Sequence, residues 1–371
     1  MKKIITVSLA AMLILSGCGS APPTKSQANG SSSATAGAQP YVAMDAKGFQ
    51  FQYWQVVEKG AQDEAKKLNI KITFQGPDNE SDVAQQVDMV NADLAKKPAA
   101  LCLAALSTTA LSSQLSKAKS MGIPVIGFDS GVPNDSSGAL VATAATDSVK
   151  AAAMAADHLF DNQDFKAALT KATTANPVVI GVLSQDATSA SIIQRTTGFI
   201  NEMVAKIQSE PNFANAVEVT GQKKYNKASS SPAKVNIAVS IPPSTVQSDV
   251  QNSAQQLLNQ KNLIVIFASN EGAADGMLSA TNDGSDLNRS TGKYKNLLVV
   301  GFDAGKNQKA AVKSKEFLGS ITQDPYTIGV DAVLLASKAI KGEPVSNIDT
   351  GAKWYDSTNM DNPDIAQLLY N

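Results

Sequence analysis

Ile123-Pro124-Val125-Ile126-Gly127-Phe128-Asp129-Ser130-Gly131 and Leu298-Val299-Val300-Gly301-Phe302-Asp303-Ala304-Gly305 are the two stretches on which the reading of this chain turns. Each is a short apolar run closed by Gly-Phe-Asp and a small residue. Such a run reads as a strand buried on both faces, the pattern of a parallel sheet covered by helices. In open α/β sheets, ligands bind beyond the carboxyl ends of the strands. Two aspartates delivered to that edge from distant parts of the chain predict one site assembled from two halves. The competing reading is local: Asp is a favoured helix N-cap, so each carboxylate could serve the helix that follows it.

Outward from these stretches, strands and helices alternate. Tyr41 to Met44 reads as a first strand, and Phe51-Gln52-Tyr53-Trp54-Gln55 leads into a helix with Val57, Ala61 and Leu68 on one side. Ile70 to Phe74 alternates with period two and reads as a strand. Val83, Val87, Val90 and Leu94 lie on one helix face. Ala99 to Leu106 is a buried strand, Leu111 to Met121 a helix ended by Gly122. The rhythm restarts at Val178 to Leu183. A helix from about Ala190 to Ile207, a strand at Val235 to Ile241, a helix from Thr245 to Asn259, a strand at Leu263 to Phe267 and a helix from Gly272 follow. Two runs of βα units make two lobes, each a parallel sheet covered on both faces. Asp161 to Asn176 and Gln222 to Pro232 read as surface insertions.

The amino terminus is of another kind. Met1-Lys2-Lys3 and the apolar run Ile4 to Leu15 form a basic n-region and an h-region too short to span a bilayer, which is an export signal. It closes on Leu15-Ser16-Gly17-Cys18, which resembles the bacterial lipobox and implies cleavage after residue 17 and diacylation of Cys18. Acyl chains, each buried CH₂ contributing about 0.8 kcal/mol, would hold the protein at the membrane face. Residues 18–39 are rich in Ser, Ala, Gly, Thr and Pro and read as a flexible tether, with the fold starting near Pro40.

Among 371 residues, 32 basic and 33 acidic side chains leave a net charge of -1, which argues against a nucleic-acid partner. Cys102, in the buried run Ala100 to Ala104, reads as a small core residue, and two cysteines in all exclude a disulfide framework or a multi-Cys metal site. The one histidine, His158, sits on the apolar helix Ala151 to Phe160 as a packed or surface residue. No Gly-x-Ser-x-Gly elbow, Walker loop or Cys/His zinc spacing is present, so an enzyme is not expected, nor a cofactor. Asn282 to Asn288 suggests a calcium loop only loosely: its Gly falls at the wrong offset and no Glu closes it, so no metal is expected.

Eight blocks, in order, carry a family resemblance: Tyr53-Trp54-Gln55 with Lys59-Gly60-Ala61; Gly76-Pro77 with Gln85-Gln86; Leu103-Ala104; Gly122-Ile123-Pro124-Val125 with Phe128-Asp129-Ser130-Gly131; Arg195-Thr196-Thr197-Gly198-Phe199; Phe267 to Ala273; Val300-Gly301-Phe302-Asp303; and Gln323-Asp324-Pro325-Tyr326-Thr327-Ile328-Gly329. Through them the chain from about Tyr41 to Asn371 resembles the periplasmic sugar-binding proteins of ABC importers, in particular the ribose-binding-protein-like group. The resemblance implies the two-lobed type I periplasmic binding protein fold. Its N-terminal lobe would hold residues 40–145 plus 324–350 and its C-terminal lobe 146–323 plus 351–371, joined by a three-segment hinge near Thr143 to Asp147, near Gln323 and near Thr350.

The resemblance also implies a ligand site between the lobes. Tyr53 and Trp54 fall where family members set aromatic rings against the sugar faces. Asp129, Asn270 and Asp303 fall where oxygens and amides bond ring hydroxyls, Arg195 where a guanidinium spans two of them, and Gln323 beside the hinge. Phe51 stands where many relatives carry an Asn, and Ser130 where the ribose binders proper carry an Arg. These departures bear on ribose itself and not on a small polyol as the ligand class. The contact supplied before the Thr245 helix cannot be placed. The implied partners are a small sugar or polyol, an ABC permease with its ATPase, and the membrane through the lipid on Cys18, with the protein a monomer outside the cytoplasm. A sensory receptor presenting the same ligand to a chemoreceptor or histidine kinase is the alternative. A transcriptional regulator on the same core would need an N-terminal helix-turn-helix, where this chain has its export signal.

Overall fold

A computed structural model of the protein describes residues 39–370. The export segment, Cys18 and nearly all of the tether expected from the sequence lie outside the described residues.

The chain opens with β1 (Tyr41–Asp45), α1 (Gln52–Lys67), β2 (Lys71–Gln75), α2 (Val83–Ala95), β3 (Ala100–Leu103), α3 (Ser112–Ser120), β4 (Val125–Phe128) and β5 (Leu140–Ala145). It continues through α4 (Ser148–Asp161), α5 (Gln163–Leu169), β6 (Val178–Leu183), α6 (Ala190–Ser209), β7 (Val217–Thr220), β8 (Val235–Ser240) and α7 (Gln247–Leu258). Then come β9 (Leu263–Ala268), α8 (Glu271–Ala280), β10 (Leu298–Phe302), α9 (Lys306–Lys313), β11 (Gly319–Gln323), α10 (Pro325–Ile340), β12 (Ile348–Asp349), β13 (Ala352–Tyr355) and α11 (Pro363–Ala366).

These strands form two sheets, one in the order β12-β5-β4-β3-β1-β2 and one in the order β13-β11-β10-β9-β6-β8-β7. Strands β3, β4, β6 and β10 are buried at every position, as their apolar runs require in a sheet covered on both faces, and so is β11 despite Ser320, Thr322 and Gln323. Phe199 of α6 stacks on Phe267 of β9, ring centroids 4.3 Å apart, and fully burying one such side chain contributes about 1.5–3 kcal/mol. Gly122 ends the turn after α3 at φ +71°, a conformation that glycine adopts without strain.

Two sequence expectations need correction. The seven-stranded sheet is not wholly parallel: its edge strand β13 runs antiparallel to β11, with Gln323 opposite Ala352. The chain leaves the second sheet at Gln323 and re-enters beside its own exit, so it has to run back along β11. The stretch Asp161 to Asn176 is not merely a surface insertion, because it carries α5, which Asn162 caps by accepting from the Asp164 and Phe165 amides. That short helix buries Phe165 and Leu169 against the second sheet's core.

The chain passes between the sheets three times: from β5 to α4, from β11 to α10, and from β12 to β13. The crossings are pinned by carboxylates. Asp147 accepts from Lys150 N at the start of α4, and Asp324 from Thr327 N at the start of α10, where Pro325 takes the first helical turn. Asp349 accepts from the amides of Asp147 at 3.0 Å and Gly351 at 2.9 Å, and Thr350 N donates to Ala145 O. The first and third crossings are thereby laid side by side.

Candidate functional site

Both Gly-Phe-Asp ends arrive in the same place. The carboxyl edges of the two sheets face one another across a cleft lined by Lys47, Phe51, Tyr53, Trp54, Glu80 and Asp129 from one side, and by Arg195, Asn270, Glu271, Asp303 and Gln323 from the other. The empty space among them, the open solvent at the mouth included, comes to about 260 Å³.

Asp129 and Asp303 each sit one residue beyond their strand with a left-handed backbone, φ +53° and +78°. Such a conformation costs on the order of 1–3 kcal/mol away from glycine and collects at functional sites. Neither aspartate caps the helix that follows: α9 has Gly305 at its N-cap position, and α4 is capped by Asp147. Asp303 instead accepts from the Glu271 amide of α8 at 3.2 Å, from Gln323 Nε2 at 2.7 Å and from Arg195 Nη1 at 3.4 Å. Asp129 accepts from Tyr53 Oη at 2.8 Å and lies 3.9 Å from Arg195 Nη2.

Arg195 thus lies between the two carboxylates. It is 3% exposed, its guanidinium centred 3.9 Å over the Phe302 ring, and Nη1 also donates to Ser269 O at 3.2 Å. Two buried polar atoms here have no hydrogen-bond partner among the described residues: Asp129 Oδ2 and Arg195 Nε. One accepts and the other donates, which is what a ligand hydroxyl can satisfy.

The aromatic wall comes from the start of α1. Trp54 packs edge-on against Tyr53 and Phe128, centroids 5.1 and 6.2 Å away, and its Nε1 donates to Glu80 at 2.6 Å. The Phe51 ring reaches Gly272 at the start of α8, where an added Cβ would meet its Cζ at 2.7 Å. Only glycine lets that ring approach. Asn270 caps α8 through Ala273 N and turns its amide toward Gln185, so the capping reading and the cleft-lining one both apply. Ser130 is not in the lining: its Oγ donates to Ala105 O and accepts from Ser191 N, tying β4's end to the start of α6. Thr245, before α7, lies 3.4 Å from Ser81 and 3.5 Å from Gln50 at their side-chain oxygens.

Burial shifts the ionisation of this cluster. It raises Asp303, against the opposing pull of Arg195, and it carries Glu271 up to about 8 with help from Asp303 and Asp275. Burial would lower Lys47, but Glu80, then Asp129 and Asp186, outweigh it and hold the ammonium above its ordinary value. Tyr53 is pushed well up by burial and by Asp129, so it stays a hydroxyl donor.

Lys47, Glu80, Glu271 and Gln185 were not expected here. Each follows closely on the carboxyl end of a strand, β1, β2, β9 or β6, and that position is the one signal that marks them. Elsewhere, His158 stacks flat on Trp354, centroids 4.2 Å apart, and Cys102 is fully buried. Among the described residues no group of three or more His, Cys, Asp or Glu side chains is placed to hold a metal ion. No described helix is long and apolar enough to cross a membrane.

Two lobes, their strand ends facing across a polar cleft with an aromatic wall, have the build of a binding protein for a small solute. The chain belongs to the periplasmic binding protein domain family, whose model matches residues 42–344. That is a family of binding receptors and transport components, not of enzymes. Over 346 residues, 93% of this chain and 95% of the relative, it is 24% identical to the ribose import binding protein of Bacillus subtilis. Among solved structures, an ABC transporter, LacI family transcriptional regulator from Brachyspira murdochii is 37% identical with a TM-score of 0.74, over 90% of this chain and 99% of that one. An ABC transporter solute binding protein from Agrobacterium vitis with bound D-fucose is 27% identical with a TM-score of 0.71, over 89% and 100%.

Proposed function

We propose that this protein is the lipid-anchored solute-binding component of an ABC importer, which captures a small sugar or polyol between its lobes and delivers it to a membrane permease. The observation that carries this reading is the pair of unsatisfied buried atoms, Asp129 Oδ2 and Arg195 Nε, in a cleft with an aromatic wall. A sugar presents hydroxyl edges and C–H faces, so it needs charged forks for the one and rings for the other. Arg195 and Lys47 stand against Asp129, Asp303 and Glu80, with Glu271 raised to about 8 and so held largely protonated at neutral pH. That near balance suits an uncharged ligand. Relatives with D-fucose or D-arabinose bound support the same class.

Phe51, Tyr53 and Trp54 would supply the apolar faces, and Asp129, Arg195, Asn270, Asp303 and Gln323 the polar contacts. The lobes, divided at the three crossings, would open and close about Thr143 to Asp147, Gln323 and Thr350, with the sugar stabilising the closed form by touching both. Cys18 would carry the lipid that keeps the protein at the outer face of the cell membrane.

A thermal-shift and calorimetry screen over pentoses, hexoses and inositols tests the reading. A sugar at a hundred times its Kd should add about 2.7 kcal/mol of stability. No shift and no heat with any of them would refute it. For the anchor, a Cys18→Ala variant should leave the membrane fraction, and wild-type protein should gain the mass of two acyl chains.

A further inference from the structure

One buried carboxylate at the cleft bonds to side chains of both lobes. Glu80, 5% exposed on the loop after β2, accepts from Trp54 Nε1 at 2.6 Å through Oε1. Its Oε2 accepts from Gln185 Nε2 at 2.8 Å and lies 3.3 Å from Lys47 Nζ. Trp54, Lys47 and Glu80 follow strands or start helices of the six-stranded sheet's lobe, whereas Gln185 follows β6 of the seven-stranded one. Gln185 Oε1 in turn accepts from Asn270 Nδ2, and the Gln185 backbone N–H donates to Ser269 Oγ at 3.0 Å. Gln185 is 2% exposed and Lys47 4%, so this chain of bonds runs through the interior and not across the rim. No sugar is needed to complete it, since both Glu80 oxygens are occupied by protein donors.

We propose that Glu80 is the positioning residue of the site: through Gln185 it clasps the two lobes together and holds the Asn270 amide, and directly it sets the Trp54 ring and the Lys47 ammonium against the ligand. A carboxylate suits the task because it alone offers lone pairs for three donors at once. Charged hydrogen bonds in a dry interior are also the strong ones. A neutral amide at position 80 would accept from Trp54 but leave the Lys47 charge buried without its partner. It would also present N–H to the Gln185 N–H. The clasp contributes to closure and not to the choice of sugar, so it acts equally on every ligand that the site accepts.

The inference rests on the sugar-binding reading for its affinity arm alone. Glu80→Gln and Gln185→Met are made singly and together, the second removing the crossing bond with no change of charge. Binding of D-arabinose, D-fucose and D-ribose is measured by calorimetry, and small-angle scattering is recorded without any sugar. Each single variant is expected to weaken every sugar that wild type binds by about tenfold or more and by the same factor for each, the size expected for a charged hydrogen bond. The double variant should be little worse than the worse single one, because both remove one interaction. Both singles should scatter as a more open particle than wild type in the absence of sugar. Wild-type scattering in both variants, losses that add in the double variant, or losses confined to one sugar would overturn the proposal. If wild type binds none of the three sugars, the affinity reading falls, and the sugar-free scattering still decides for or against the clasp.

Discussion

The two Gly-Phe-Asp ends share a sequence, a strand position and a left-handed aspartate, and yet their carboxylates do different work. Asp303 is saturated by protein: Gln323, the Glu271 amide and Arg195 all donate to it. Asp129 has one protein hydrogen bond, from Tyr53, and an oxygen with no partner among the described residues. One half of the repeat has become the anchor for the guanidinium, and the other presents an open acceptor to the cleft. A repeated motif therefore builds a site by dividing labour, and Arg195, lying between the two, is what each half depends on.

That asymmetry can be tested, in order of falling effect on sugar affinity. Arg195→Met removes the cation that both aspartates face and leaves their charges buried. Breaking a buried pair in this way costs about 3–5 kcal/mol. Calorimetry should find no sugar binding, and denaturant unfolding should show a loss of that order. Asp129→Asn should weaken the best sugar by about 10- to 100-fold, the loss of one charged hydrogen bond, while the unfolding midpoint without sugar stays close to wild type. Asp303→Asn should do the reverse: stability falls by about 1–3 kcal/mol because the amide keeps only one acceptor oxygen and turns an N–H toward donors that the other oxygen served, and affinity falls less than in Asp129→Asn. Equal phenotypes for the two substitutions would erase the distinction drawn here.

The smallest effect on binding, and the most specific one on pH, concerns Glu271 beside Asp303. Burial raises its carboxyl from 4.5 to about 8 in the folded protein. Between those values the folded state holds a proton that the unfolded state has released. Stability contributed by this group is therefore present below about pH 4.5 and is lost as pH rises toward 8. Glu271→Gln, which cannot ionise, should flatten that decline, so thermal unfolding of the variant should gain on wild type steadily from pH 5 to pH 8. A constant gap between the two curves would show that Glu271 does not titrate in this window.

The fold was legible wherever a buried strand had no polar face to hide it. The runs ending at Phe128 and Phe302, and Val178 to Leu183, declared both sheets and the edge that lines the cleft. β13 was not legible, because Ala352-Lys353-Trp354-Tyr355 carries no apolar run and its pairing follows from where the chain re-enters the sheet. α5 was hidden in a polar stretch by its length, with Phe165 and Leu169 as its only large buried side chains. In the site, the strand-end aspartates and the aromatic pair could be read, since their residue types are unusual in a core. Lys47, Glu80, Gln185 and Glu271 could not. Charged and amide side chains in loops read as solvated until two lobes close over them, and that burial belongs to the assembled fold and not to any local pattern.

On the proposed function, the cleft's open acceptor and open donor are kept for a ligand's hydroxyls. A crystal structure with the tightest-binding sugar of the panel tests it most directly. The account predicts sugar oxygens within hydrogen-bonding distance of Asp129 Oδ2 and of Arg195 Nε, with the ring lying against the Phe51, Tyr53 and Trp54 wall. A sugar seated elsewhere, or those two atoms turned to protein partners with the sugar in place, would contradict it.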